Sequence, residues 1–152
     1  MDSIDRNILS AVQRNGKASL AEIGKAAGLS ISATNERIHK LEDRGAIRGW
    51  QAVLDPKAAG CPVLAFVLLE LRAGRDEDSF RKALRKQAHV QECHRVSGGY
   101  THLLKLRVAD IGALDAEVLT LRGLSGVVRV DTMLGLATVK ETAAVPLVNG
   151  AG

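Results

Sequence analysis

Ser32, Ala33, Asn35, Glu36, Arg37 and Lys40 fall in one short run of the chain. At 100° per residue, Ser32, Ala33, Glu36, His39 and Lys40 share one arc, flanked by Asn35 and Arg37. Thr34, Ile38 and Leu41 take the other side. Small residues at the start of such a helix allow close approach to base edges in a groove of duplex DNA. Asn and Arg can make bidentate hydrogen bonds to bases there, and Arg or Lys can hold phosphates. An ordinary helical hairpin with a solvated outer face would show the same periodicity, so the pattern alone leaves both readings open.

A second group, Ser97-Gly98-Gly99-Tyr100-Thr101-His102, sets two glycines beside hydroxyl and imidazole side chains. Glycines let backbone N–H groups come close to an anion such as a carboxylate. The same dipeptide also favours a plain two-residue hairpin turn. Cys93, His94 and His102 are metal-ligating types. A Gly98-Gly99 turn would set Arg95 opposite His102, however, and so point His94 and His102 to opposite faces of a sheet. No metal is expected. Neither Ser30 nor Ser32 has a His or Asp placed to make it a nucleophile. The chain carries no Walker loop, Rossmann glycine set or paired carboxylates. Neither an enzyme activity nor a cofactor is expected.

The elements that must position these residues can be read in order. Ile4, Ile8, Leu9 and Val12 mark an amphipathic helix that ends near Asn15-Gly16. Ser19 and Glu22 form a capping box for a second helix, whose apolar stripe is Leu20, Ile23 and Ala27. Gly28 supplies a left-handed turn, Leu29 plugs the corner, Ser30 caps the third helix and Gly45 stops it. Ala46 to Pro56 reads as extended, with Trp50 expected to pack on neighbouring apolar surface. Pro56, Gly60 and Pro62 punctuate a connector.

From Pro62 the pattern changes. A strand with both faces apolar leads to a helix over 76–88, strands over 90–97 and 101–109, a helix from Ile111 to Leu121 and a last strand over 127–139. The order β-α-β-β-α-β is that of ferredoxin-like folds. Right-handed crossovers then put both helices on one side of the sheet and leave the other bare, a natural face for a partner subunit. The fold class expected is α+β. Residues 1–60 form a helix-turn-helix (winged-helix-like) domain with an extended linker strand, 61–142 a ferredoxin-like βαββαβ domain, and 143–152 a loosely held tail.

With 152 residues, 25% of them charged and 46% apolar, the chain has the composition of a soluble globular protein of one or two domains. Its formal charge of +4 suits nucleic acid without demanding it. Charge is poorly segregated, since Arg37, Lys40 and Arg44 alternate with Glu36, Glu42 and Asp43. Positioning by geometry and dimer avidity is expected, more than by one intense basic patch. Asp2 and Asp5 stand where a signal peptide would be basic, and no apolar run approaches the ~18–20 residues that span a bilayer. Two cysteines without a paired motif fit a reducing compartment. A cytoplasmic location without membrane attachment is expected.

The segments MDSIDRNIL, GKASLAEIGKAAGLS, ERIHKLEDRGAIRGWQAVLDPKAAG, VSGGYTHLLKLRV and VVRVDTMLGLATVKET together resemble the Lrp/AsnC (leucine-responsive, feast/famine) transcription regulators over roughly residues 1–142. The spaced set IDxxIL, GLS, RIxxLExxGxI and LDPxxxG is specific in combination. The resemblance implies a sequence-specific, DNA-binding transcriptional regulator that answers to a small effector, often an amino acid. It implies dimers through the C-terminal sheets, assembling further into tetramers or octamers. The DNA-contacting set is then Ser30, Ser32, Ala33, Asn35, Glu36, Arg37 and Lys40. The effector set is Ser97, Gly98, Gly99, Tyr100, Thr101 and His102, in the loop where the family binds effectors, with Asp131 and Thr132 on the last strand. Family members often carry an acid in this loop, as in GDYD, where this chain has Gly99 and Thr101. A ligand ammonium would lose its obvious counter-charge, and Asp131 is the residue available to replace it. Two other readings stay open: a DNA-packaging protein of the same architecture with little sequence choice, and a metabolite-binding module or small enzyme built on the ferredoxin-like domain.

Overall fold

Three helix starts in the first third of the chain are written in side-chain oxygens. In the computed structural model, which describes residues 1–72, 74 and 76–148, each becomes a helix: α1 (Ser3–Arg14), α2 (Leu20–Ala27) and α3 (Ile31–Asp43). Asp2 and Asp5 form a capping box at α1, with Asp5 N–H donating to Asp2 at 2.7 Å. Ser19 and Glu22 do the same at α2, and Ser30 accepts from Ala33 N–H at α3. Such caps are each worth about 1 kcal/mol. The chain then folds into two compact units, one of Met1–Val53 with the chain from Lys140 on, the other of Leu54–Val139.

In the helical unit Ile8, Leu9, Ile23, Ala27, Ile38 and Leu41 are buried together, with Leu29, Ile47 and Leu147 packed against them. The turn between α2 and α3 depends on two glycines for different reasons. Gly28 takes φ +70°, open to glycine at no cost. At Gly24 a Cβ would sit 2.7 Å from the Thr34 hydroxyl and 2.8 Å from the Leu29 carbonyl, so the two helices approach through its missing side chain. Past α3, Gly45 (φ +71°) carries a Schellman turn in which Ala46 N–H donates to the Leu41 carbonyl at 2.9 Å.

Two expectations are corrected here. The stretch 46–56 forms no strand, and Trp50 does not pack away. It stays half exposed while its indole N–H donates to Glu42 at 2.8 Å, because the turn at Gly45 brings it back over the end of α3. The segment after 142 is not loose throughout its described part. The Gln13 side chain donates to the Val145 carbonyl (3.1 Å) and accepts from its N–H (2.7 Å), and Leu147 packs against the helical core.

The sheet unit contains β1 (Val63–Leu71), α4 (Asp76–Leu84), β2 (Val90–Arg95), β3 (His102–Val108), α5 (Ile111–Arg122) and β4 (Val127–Gly135). Its four strands lie antiparallel in the order β2-β3-β1-β4, the ferredoxin-like arrangement. α4 stops at Leu84 where i→i+3 turns take over, and β4 stops at Gly135, where its pairing with β1 ends opposite Leu64. On one face Ala65, Val67, Leu69, Leu104, Leu106, Val108 and Val130 are buried under Phe80 of α4 and Leu114, Val118 and Leu121 of α5. Both helices belong to that face. The opposite face presents Leu64, Phe66 and Leu68 of β1, with Leu103 and Lys105 of β3 and Asp131 and Met133 of β4 in register beside them.

Candidate nucleic-acid interface and effector loop

The inner residues of α3, Thr34, Ile38 and Leu41, are buried, and Thr34 donates its hydroxyl to the Ser30 carbonyl at 2.8 Å. That fixes the outer arc. Ser32, Asn35, Glu36, His39 and Lys40 are exposed and Ala33 is half-buried. Glu36 and Lys40 pair at 2.6 Å, an exposed, solvent-screened i,i+4 contact that is easily exchanged for a phosphate. The side chains of Ser32 and Asn35 have no hydrogen-bond partner among the described residues. Their polar groups are available to a ligand.

Arg37 is placed differently. One guanidinium nitrogen lies 2.6 Å from Asp2 and 2.7 Å from Asp5, and Asp5 is buried. Position 37 borders the Thr34–Ile38–Leu41 stripe, so its side chain runs back to the start of α1 instead of outward. These carboxylates raise the arginine's pKa. Asp2 is held below the usual carboxylate range, first by the Asp5 backbone N–H and then by Arg37. Ser30 spends its hydroxyl on the cap. Arg37 and Ser30 thus locate the helix, whereas Ser32, Ala33, Asn35, Glu36 and Lys40 line its outer side.

In the sheet unit, β2 and β3 pair with Arg95 opposite His102, and Val96 N–H donates to the Thr101 carbonyl at 2.9 Å. The loop Ser97–Tyr100 lies between them. Gly98 takes φ +115°, and nothing lies within 4 Å of a Cβ built on Gly98 or Gly99, so space beside the backbone is open. Tyr100 donates its phenol to Asp131, while Arg129 lies 2.9 Å from that carboxylate and 4.6 Å over the tyrosine ring. That hydrogen bond stabilises the protonated phenol and the ionised carboxylate, raising the Tyr100 pKa and lowering that of Asp131.

The remaining members of the expected set are not brought to that cluster. Thr101 bonds the end of β1: its hydroxyl accepts from Leu71 N–H at 2.8 Å and donates to the Leu69 carbonyl at 3.2 Å. His102 is buried on the helix-covered face, its ring 5.1 Å from that of Phe80. Thr132 pairs with Val67 and shares that face, because side chains one residue apart on a strand alternate. Ser97 stands exposed at the loop start. Arg129 escaped the sequence reading, although its i,i+2 spacing from Asp131 was the available signal.

Comparison with known proteins decides the family. Residues 1–42 match the AsnC-type helix-turn-helix domain, and residues 64–145 match the Lrp/AsnC ligand binding domain. The chain belongs to the Lrp/AsnC family. It is 38% identical over 145 residues to the leucine-responsive regulatory protein of Haemophilus influenzae, covering 93% of this chain and 87% of that one. It is 35% identical over 147 residues to an HTH-type transcriptional regulator of Pyrococcus abyssi, with 97% of each covered. Among solved structures, a transcriptional regulator from Neisseria meningitidis in complex with L-methionine superposes with a TM-score of 0.91 at 30% identity, covering 96% of both chains. The feast or famine regulatory protein of Mycobacterium tuberculosis complexed with L-methionine gives 0.87 at 30% identity over 95% and 97%. This Lrp/AsnC chain is therefore a DNA-binding transcriptional regulator that responds to an effector. Among the described residues no helix is long and apolar enough to cross a membrane.

Proposed function

We propose that this regulator lays α3 in the major groove of its operator, with Asn35 and Ser32 as base-reading side chains. Lys40, released from Glu36, holds a backbone phosphate, and Ala33 permits the close approach. The observation that carries this reading is the outer arc of α3, where Ser32 and Asn35 are exposed and unpartnered on a helix fixed by buried residues and the Arg37 clamp. Arg37 orients the helix and contacts no base.

The effector is a free amino acid, bound at Ser97–Tyr100 and Asp131. The open space at Gly98 and Gly99 admits its carboxylate to backbone N–H groups, and Asp131 supplies the counter-charge to its ammonium in place of the loop acid that this chain lacks. The L-methionine complexes of the two relatives support that chemical class. The bare face around Phe66, Leu68, Leu103 and Met133 joins two copies, and dimers assemble further into tetramers or octamers. The protein works in the cytoplasm, where its DNA is, and performs no catalysis.

A thermal-shift panel of the proteinogenic amino acids on the full chain tests the effector class. At least one should raise Tm, and Asp131→Asn should abolish that rise while leaving the ligand-free Tm within a few degrees. No response to any amino acid would overturn this part of the proposal.

A further inference from the structure

A groove of about 390 Å³ runs between α4 and the outer strand β2, on the helix-covered side of the sheet. Its size is that of a small-ligand cleft. Arg81 and Arg85 line it from α4 and the turn after it, and Arg95 from β2. Arg81 is committed to Glu77 at 2.6 Å, but Arg85 and Arg95 have no hydrogen-bonded or ion-paired partner among the described residues. Glu92 lines the groove too, yet its carboxylate turns to Lys105 and His94, each at 3.2 Å. His102 lies at the groove's inner end, about nine-tenths buried, with Nδ1 2.9 Å from the Thr101 hydroxyl. Its Nε2 has no partner among the described residues. Phe80 and Leu84 give the groove an apolar wall.

We propose that this groove is a second small-molecule site, distinct from the Ser97–Tyr100 loop, and that it takes a compact organic dianion, a dicarboxylate or a phosphomonoester. Arg85 and Arg95 bind the anionic groups as charge-assisted donors. With the Thr101 hydroxyl donating to the Leu69 carbonyl, His102 carries its hydrogen on Nδ1; as the dianion binds, Nε2 takes up a proton from solvent and donates to the ligand at the inner end, while the carbon skeleton rests on Phe80 and Leu84. Asp131 belongs to the opposite face of the sheet from His102, so the two sites do not share side chains.

Cys93 lines the same groove, and packing there raises its thiol pKa. It is a built-in reporter, with Cys61 as an internal reference. The test follows alkylation of both cysteines in the full chain by iodoacetamide and peptide mass spectrometry, with inorganic phosphate, succinate or chloride at matched ionic strength. Phosphate or succinate should slow Cys93 several-fold relative to Cys61, and the two probes distinguish the phosphomonoester from the dicarboxylate. The exposed double substitution Arg85→Gln and Arg95→Gln should remove the protection with an unchanged circular dichroism spectrum, and Asp131→Asn should retain it. Protection by neither probe, equal protection by chloride, survival in the double variant, or loss in Asp131→Asn would each overturn the proposal.

Discussion

Arg37 of the helical unit and Arg129 of the sheet unit both sit beside carboxylates, but to different ends. Arg37 ties α3 to the start of α1 through Asp2 and the buried Asp5, so the ion pair sets the pose of one helix against another. Arg129 meets Asp131 and Tyr100 on a sheet face that no helix covers, where all three remain available to a ligand or a second chain. The helical unit settles its internal polar groups internally and presents only the outer arc of α3. The sheet unit covers the centre of one face with two helices and leaves the other, with Phe66, Leu68 and Leu103, without a helix over it. Recognition of DNA needs a rigid helix, and assembly needs an open apolar face.

The contrast breaks most visibly at the bare sheet face. Phe66→Asp places a charge at its centre and should weaken self-association by about 100-fold or more, read by sedimentation equilibrium, because an unpaired charge cannot be buried cheaply. An unchanged dimer would move the interface elsewhere. Gly24→Val should destabilise the helical unit by about 3 kcal/mol in urea, since the added atoms meet a buried hydroxyl and a backbone carbonyl. Arg37→Ala should lower the urea midpoint of the helical unit by less than Gly24→Val does, since Asp5 loses its cation but keeps the Asp2 N–H, and should weaken binding to all DNA sequences alike.

Acid titration sharpens the same point. The folded-state pKa of Asp2 lies below its unfolded value, so the unfolded chain takes up protons first. Its contribution is intact at neutral pH and is lost as pH falls through about 4 and below. Asp2→Asn should flatten that slope in helical circular dichroism. The smallest effect is expected for Tyr100→Phe, which should leave stability within about 0.5 kcal/mol because the site is exposed, yet shift the amino-acid response of the thermal panel.

The fold was legible where local chemistry decides. Ser19 with Glu22, Gly28 and Gly45 announce helix ends by hydrogen-bonding and backbone conformation, an apolar run on both faces marks β1, and alternation of Leu104, Leu106 and Val108 marks β3. What escaped depends on contacts far apart in sequence. Gln13 grips Val145 across the whole chain, and Asp2 and Asp5 meet Arg37 only once three helices have packed. The wheel put Arg37 on the flank of the outer arc, and nothing local says that acids at the first helix would draw it inward. In the loop, alternation along the strand was enough to separate His94 from His102. Applied as strictly to 131 and 132, it would also have separated Asp131 from Thr132.

Sequence-specific DNA binding modulated by an amino acid is the central property proposed for this chain. Fluorescence anisotropy of the full chain at physiological salt, on the region upstream of its own gene and on a scrambled duplex of equal length, tests this directly. The expected result is a preference of about 1,000-fold or more for the upstream region. Asn35→Ala should cut that preference by about 1–3 kcal/mol, and an amino acid that raises Tm should shift the upstream affinity. Equal affinity for both duplexes, unmoved by Asn35→Ala or by any amino acid, would contradict the account and favour a DNA-packaging role.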